Sequence, residues 1–179
     1  MKYHHFPLFL LFFIAFSGIS QEKSTGPIIE DYGPVFKIEN PDFKTDTTQE
    51  FKVVFDVTDT PDSHEEINKK LETAARFLNM HAQSGVPASN LKVALIVHNV
   101  ASKDITTDEA YKERFGVANP NSGLIQALLD AGVEVIYCGQ SSMSRNFPKK
   151  DLIPGVKISL SAMTANVQLQ NQGYRPIKL

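Results

Sequence analysis

The sequence predicts an α/β protein, a three-layer α/β/α sandwich around a mostly parallel sheet of about five strands. Short apolar or β-branched runs alternate with amphipathic stretches of helical period along residues 51–179. Strands and helices in alternation form right-handed crossovers, which place helices on both faces of a parallel sheet. A chain of 179 residues, 42% of them hydrophobic, has the length and composition of one globular domain.

The first twenty residues are typical of a secretory signal peptide. Lys2 is followed by an almost unbroken apolar run over residues 6–16 and by small residues at 17–20. A membrane anchor is the alternative, but this run is shorter than the roughly 20 residues that cross a bilayer, and Pro7 interrupts its start. We therefore expect an exported, periplasmic chain with no stable membrane anchor after cleavage.

The mature chain is expected to begin with an arm over residues 21–50, followed by the α/β domain over residues 51–179. Pro, Gly, Asp and Thr separate short apolar patches in the arm, which predicts an ordered loop rather than a core element. Four strands are predicted from their apolar or β-branched composition, at residues 51–58, 91–97, 133–138 and 156–159. A short fifth strand is predicted at residues 174–178, and Pro176 would confine it to an edge or an end.

Helices are predicted between these strands from apolar spacings of three and four and from capping residues. Ser63 and Glu66 form the capping-box pattern that would start the first helix, and Gly85 would end it. Asn119 or Asn121 is expected to cap a later helix, which contains Leu124 and Leu128. Further helices are expected at residues 107–115, 141–147 and 162–172.

Composition and missing motifs exclude several classes of function. The 18 Lys and Arg nearly balance the 20 Asp and Glu, so the concentrated basic face that nucleic-acid binding requires is not expected. The phosphate-loop, dinucleotide-binding, serine-hydrolase and Cys-x-x-Cys motifs do not occur. One cysteine, and histidines that are well separated after the first twenty residues, predict no metal site, and no cofactor is expected.

Reactive side chains follow the predicted strands at the edge where open α/β sheets place their sites. Cys138 ends the third strand, and a following helix N-terminus or a nearby cation would lower the pKa of its thiol. A small buried cysteine without chemistry is the alternative. His98 follows the second strand and could accept the thiol proton or stabilise a thiolate as a cation, with a hydrogen-bonded structural histidine as the alternative.

Four more residues are candidates for binding a ligand at this edge. The backbone N–H groups near Gly139 and Gln140 could stabilise a negative sulfur, and the Gln140 side chain could donate to a sulfur species or a small anion. Asn99 and Asn121 are candidates as well, although each could instead hold a loop or cap a helix. The amide side chains of Asn99, Asn121 and Gln140 suit ligand binding and local hydrogen bonding equally.

A series of segments forms a recognisable pattern: residues 91–99, 121–128, 132–140 and 152–157, with Gly173 and Tyr174. Their order resembles the DsrE/DsrF-like family of small α/β proteins involved in sulfur relay. The resemblance covers about residues 51–179, and the segment 132–140 is its most specific part. It implies a five-stranded, Rossmann-like parallel sheet, assembly into trimers or hexamers and, in some members, a cysteine that carries a persulfide between partners. The matching position is Cys138.

Two functions follow as hypotheses. In the first, Cys138 bears the persulfide of a thiol-dependent sulfur carrier or sulfurtransferase-like protein, which exchanges sulfur with a donor or acceptor protein or small molecule. In the second, the chain is a non-catalytic ligand-binding or assembly module in which Cys138 is structural. Whether the chain is an enzyme stays open, because a sulfur carrier need not turn over alone.

Overall fold

The computed structural model describes Met1 and residues 22–179, so the predicted signal peptide lies outside the described residues apart from Met1. The described residues form thirteen short elements, which include five strands and five α-helices. The strands are β1 Phe51–Val57, β2 Leu91–Val97, β3 Glu134–Cys138, β4 Lys157–Ser159 and β5 Arg175–Ile177. The helices are α1 Lys69–Gln83, α2 Asp108–Phe115, α3 Ser122–Asp130, α4 Gly139–Arg145 and α5 Ala162–Asn171.

The five strands form one parallel sheet in the order β4-β3-β2-β1-β5 with helices on both faces. On one face, Phe55 and Leu95 are buried against α1 and α3. On the other face, Val54 and Ile96 are buried against Leu169 of α5. The three-layer prediction is confirmed. Central strands bury both faces, which explains the nearly continuous apolar sequence of β2.

The predicted edge position of the last strand is confirmed as well. β5 lies at the end of the sheet and pairs with β1, with Pro176 opposite Val54. A proline has no N–H to donate to a second neighbour, so an edge is where the sheet tolerates it. Among the described residues, no helix is long and apolar enough to cross a membrane.

The first helix begins later than the capping-box pattern predicts. Ser63 lies in a bend, and α1 begins at Lys69 with Asn68 as its N-cap. The Asn68 Oδ1 atom accepts the N–H of Lys70 at 2.9 Å, while its Nδ2 donates to Asp104 at 2.7 Å. Both ends of the Asn68 amide are therefore used, which a serine at position 63 could not match.

Two other helix starts differ from the prediction. The helix expected at residues 141–147 is α4, which begins two residues earlier because Cys138 takes the N-cap position. It ends at Arg145, after which Asn146 has a left-handed backbone with φ 54°. Asn121 lies at the N-cap position of α3, but its side chain does not cap the helix and accepts the N–H of Asn68 instead.

The arm contributes to the core, which corrects its assignment as a loop outside the core. Ile29 belongs to the main buried cluster and Val35 is also buried. Asn79 of α1 holds the arm against the domain. Its Oδ1 accepts the N–H of Ile29 and its Nδ2 donates to the Ile29 carbonyl, both at 2.9 Å. Gly33 makes this approach possible, since a Cβ there would lie 2.5 Å from the Ala75 backbone.

Candidate functional site

Three adjacent strands bring Asp56, His98 and Cys138 to one row at the carboxyl edge of the sheet. Val97 pairs with Tyr137, so the next residues, His98 and Cys138, are neighbours across β2 and β3 at a spacing of about 5 Å. The His98 N–H still donates to a β1 carbonyl at 3.0 Å, which continues the pairing to the end of the strand. The period of two along each strand places these three side chains on the face that α5 covers.

The Cys138 thiol lies where two helices begin. Cys138 is 5% exposed and occupies the N-cap position of α4, close to the first residue of α5. Burial raises the pKa of the thiol, but surrounding donors lower it by more, so that the pKa is below its ordinary value. These donors are the N–H groups of Ser141, Ala162 and Gln140 and the Ser141 hydroxyl.

The donors stabilise the thiolate by their partial charges. Within the described part of the chain, Cys138 forms no regular side-chain cap hydrogen bond. The free N–H groups of a helix start carry partial positive charge, and here α4 and α5 both present such groups to one sulfur. The balance between thiol and thiolate at this position is therefore shifted toward the thiolate.

The surroundings of His98 favour its protonated form beside this sulfur. Its Nε2 donates to Asp56 Oδ1 at 2.8 Å, and this hydrogen bond raises the pKa of His98. Partial burial lowers that pKa, whereas the negative charges of Asp56, Cys138 and Asp59 raise it further, and the net direction is upward. The predicted role of His98 as a cation near the thiol is consistent with this geometry.

Gly139 allows β4 to approach the start of α4. A Cβ at this position would lie 2.5 Å from the Ser159 carbonyl oxygen and 3.2 Å from that of Leu160. Ser159 is also the residue that pairs with Cys138. Gly139 therefore sets the distance between the cysteine and the loop that leads into α5.

Gln140 and Asn99 lie at the site, although their side chains have other partners. The Gln140 backbone N–H faces the thiol, while its Nε2 donates to the Leu160 carbonyl at 3.3 Å. The Asn99 backbone N–H donates to Ser141 Oγ at 3.0 Å, and its side-chain oxygen accepts from the Arg145 guanidinium. Gln140 therefore reaches the thiol through its backbone N–H, and Asn99 contacts Ser141 through its own.

Asn121 is the one candidate that the structure places elsewhere. It is fully buried, its Oδ1 accepts the N–H of Asn68 at 2.7 Å and its Nδ2 donates to Asn119 at 3.3 Å. Both groups belong to a buried polar network that joins the chain segments following β1 and β2 to the start of α3. We call this set of side chains the loop network: Asn68, Lys103, Asp104, Asn119 and Asn121.

Sequence reasoning did not select Ser141 and Asp56 as site residues. Ser141 stands three residues after Cys138, which is the spacing of a capping box if the cysteine is the N-cap. Asp56 is an acidic residue on the face of β1 that also carries Val54, two positions earlier in a buried strand. These two signals in the sequence could have identified them.

This arrangement can stabilise an anionic sulfur and can transfer one proton to or from His98. In such chemistry Cys138 would supply the nucleophile, the donors of α4 and α5 would stabilise its charge, and His98 would supply a proton donor that Asp56 orients. Among the described residues, no group of three or more His, Cys, Asp or Glu could hold a metal ion.

Comparison with known proteins agrees with this architecture. A family model described as "DsrE/DsrF-like family" matches residues 52–179. The chain belongs to this family. The structure of MTH1491 from Methanobacterium thermoautotrophicum, described as a protein of unknown function, superposes with a TM-score of 0.55 at 16% identity, covering 72% of this chain and 99% of that one.

A second member of this fold gives the same result. The crystal structure of the ychN protein from E. coli superposes with a TM-score of 0.52 at 18% identity, again covering 72% of this DsrE/DsrF-like chain and 99% of the other. At these identities the likeness shows the fold. No curated protein matches the sequence.

Proposed function

We propose that this protein is a thiol-dependent sulfur carrier, or sulfurtransferase-like protein, that bears a persulfide on Cys138. The observation that carries the proposal is the convergence of the α4 and α5 N–H donors on one sulfur whose pKa is lowered. The sulfur-relay character of its family supports the same role. Thiolates, and not thiols, are the nucleophiles of sulfur exchange.

Sulfur uptake is a simple exchange at this site. The Cys138 thiolate attacks the outer sulfur of a donor persulfide, and a new S–S bond forms while the S–S bond of the donor breaks. The electron pair leaves on the inner sulfur of the donor, which takes a proton from the His98 imidazolium. The acidic persulfide on Cys138 returns a proton to His98, so that no oxidant or reductant is consumed.

The decisive experiment is sulfur loading followed by intact mass. The mature protein is incubated with a low-molecular-weight persulfide and analysed for the gain of one sulfur atom that a reducing agent reverses. We expect loading in the wild type, none in Cys138→Ser, and wild-type loading in Ser144→Ala on the exposed side of α4. Loading that survives in a folded Cys138→Ser variant would refute the role of Cys138.

A non-catalytic ligand-binding or assembly module is the second candidate, and two observations favour it. Cys138 is 5% exposed, and large apolar side chains are exposed on β4, on α5 and on the loop between them. They are Ile158, Leu160, Met163 and Val167. In this case the protein assembles as a trimer or hexamer, Cys138→Ala leaves the oligomer unchanged, and the native wild type takes up no sulfur. Light scattering and the loading experiment together separate the two candidates.

The proposal includes export to the periplasm. Its support is the charge, apolar run and small residues of positions 1–20 in the sequence. In a Gram-negative expression host, the periplasmic fraction should contain a chain whose intact mass lacks about the first twenty residues. A full-length chain confined to the cytoplasm would contradict export without affecting the sulfur-carrier role.

A further inference from the structure

Ser141 lies one helical turn from Cys138. It is the third residue of α4, and helical side chains tilt toward the helix N-terminus, where Cys138 is the N-cap residue. Its Oγ accepts the N–H of Asn99 at 3.0 Å. A serine hydroxyl has one hydrogen and two lone pairs, so this bond uses a lone pair and leaves the hydrogen to donate.

Asn99 is held in the conformation that makes this contact. Its φ of 56° lies in the left-handed region, where Asn is tolerated better than most residues. The Arg145 guanidinium donates to Asn99 Oδ1, and the Ser102 hydroxyl donates to the Asn99 carbonyl at 2.6 Å. Three contacts therefore fix one residue between β2 and α4, two from its backbone groups and one from its side chain.

We propose that Ser141 donates its hydroxyl hydrogen to the sulfur of Cys138 in its anionic forms, and that Asn99 is the positioning residue that directs this hydrogen. The two anionic forms are the thiolate and the persulfide anion, and the second of them rests on the proposed function. The substrate class is a donor that leaves a terminal anionic sulfur on Cys138, because this sulfur accepts the hydrogen bond. A neutral disulfide carries no such anionic sulfur.

The environment of the thiol supports this assignment. The Ser141 hydroxyl is one of the donors that lower the pKa of Cys138. The charged groups nearby are His98 with Asp56 and Asp59 at the ends of β2 and β1, and Arg145 at the end of α4, which contacts Asn99. A substitution at Ser141 changes none of these charges.

The test is the apparent pKa of Cys138, measured by the pH dependence of iodoacetamide alkylation with intact mass as the readout. Hydrogen bonds to charged groups are strong enough that Ser141→Ala should raise this pKa by about one unit, which lowers the thiolate fraction about tenfold at a pH below the pKa. Ser141→Thr keeps the hydroxyl and should restore the low value. Ser144→Ala removes a hydroxyl that donates to the Ser141 carbonyl and is the matched control.

Asn99→Ala tests the positioning role, because alanine is strained at a φ of 56°. It should raise the Cys138 pKa in the wild-type background and have no further effect in the Ser141→Ala background. A folded Ser141→Ala variant with the wild-type pKa overturns the proposal, whatever its melting temperature. An Asn99→Ala shift that persists without the hydroxyl overturns the positioning role. Wild-type protein that accepts no sulfur refutes the proposed function but leaves this pKa comparison intact.

Discussion

Two polar regions lie at the carboxyl edge of the same sheet, and they use hydrogen bonds differently. In the loop network, donors and acceptors satisfy each other: Asp104 is fully buried and accepts from Thr60, Asn68 and Lys103 at 2.7 to 2.9 Å. At Cys138, several donors converge on one atom that can gain or lose a proton.

This difference separates polar groups that stabilise the fold from polar groups that change the protonation equilibrium of one atom. Mutual satisfaction fixes the chain segments and lowers the cost of burying polar atoms. Convergence on a titratable atom instead changes the balance between its two protonation states. Substitutions in the loop network should therefore change stability without changing the Cys138 pKa, and removal of a side-chain donor to the Cys138 sulfur should change that pKa.

The largest effect on stability is expected from Asp104→Asn. Lys103 is 6% exposed, and Asp104 is the carboxylate that its ammonium contacts at 2.8 Å. Removing one partner of a buried ion pair leaves the other charge uncompensated, which costs about 3–5 kcal/mol in free energy of unfolding. Urea unfolding measures this loss, and exposed Asp62→Asn is the control, with a change within about 0.5 kcal/mol.

The same Asp104→Asn protein should keep the wild-type pKa of Cys138, measured by alkylation below the onset of unfolding. A pKa shift as large as that of Ser141→Ala would show that the two regions are coupled, and the distinction between them would fail. Thr60 and Asn68 also lose a charged acceptor in this variant, so part of the destabilisation arises at the start of α1.

A smaller effect, with a defined pH dependence, is expected from Asp56→Asn. The folded pKa of His98 is raised by its hydrogen bond to Asp56, so protonation of His98 favours the folded state. This stability is fully present below the ordinary histidine pKa of about 6.5 and is lost as the pH rises through the higher folded pKa. Solvent screens the exposed carboxylate, which limits the contribution to about 1 kcal/mol or less.

Urea unfolding between about pH 5 and pH 9 measures this term. The free energy of unfolding of the wild type should fall over the upper part of that range relative to Asp56→Asn, which lacks the carboxylate. Asp62→Asn should follow the wild type. Parallel pH profiles for Asp56→Asn and the wild type would mean that the Asp56–His98 contact does not retain the proton in solution.

The fold could be predicted where one local signal decided the structure. The apolar run of β2, the proline in β5 and the cap at Thr107, which accepts the N–H of Ala110, each act within a few residues. The start of α1 could not be predicted, because the N-cap Asn68 is held in place by a hydrogen bond to Asp104, 36 residues away. Local sequence rules identify a possible cap residue but not its hydrogen-bond partner in a distant segment.

The candidate site was predictable to the same extent. Cys138 and His98 follow from the rule that parallel strands end at one edge. The contact between Asn99 and Ser141 depends on a left-handed residue in one connection and on the first turn of a helix 42 residues later. Asn121 was predicted as a ligand-binding candidate but belongs to the loop network. Its amide can serve either role, so the residue type alone does not distinguish them.

The smallest effect is expected from Gln140→Ala, which separates side chain from backbone at the site. The Gln140 side chain is exposed and donates to the Leu160 carbonyl at 3.3 Å, whereas its backbone N–H faces the thiol. Alanine keeps that N–H, so the free energy of unfolding should change by less than about 0.5 kcal/mol and the Cys138 pKa should stay at its wild-type value. The pH dependence of alkylation gives the Cys138 pKa of Gln140→Ala, which is compared with that of Ser141→Ala on the same helix. A Gln140→Ala shift equal to that of Ser141→Ala would mean that the Gln140 amide, and not the helix N–H groups, stabilises the sulfur.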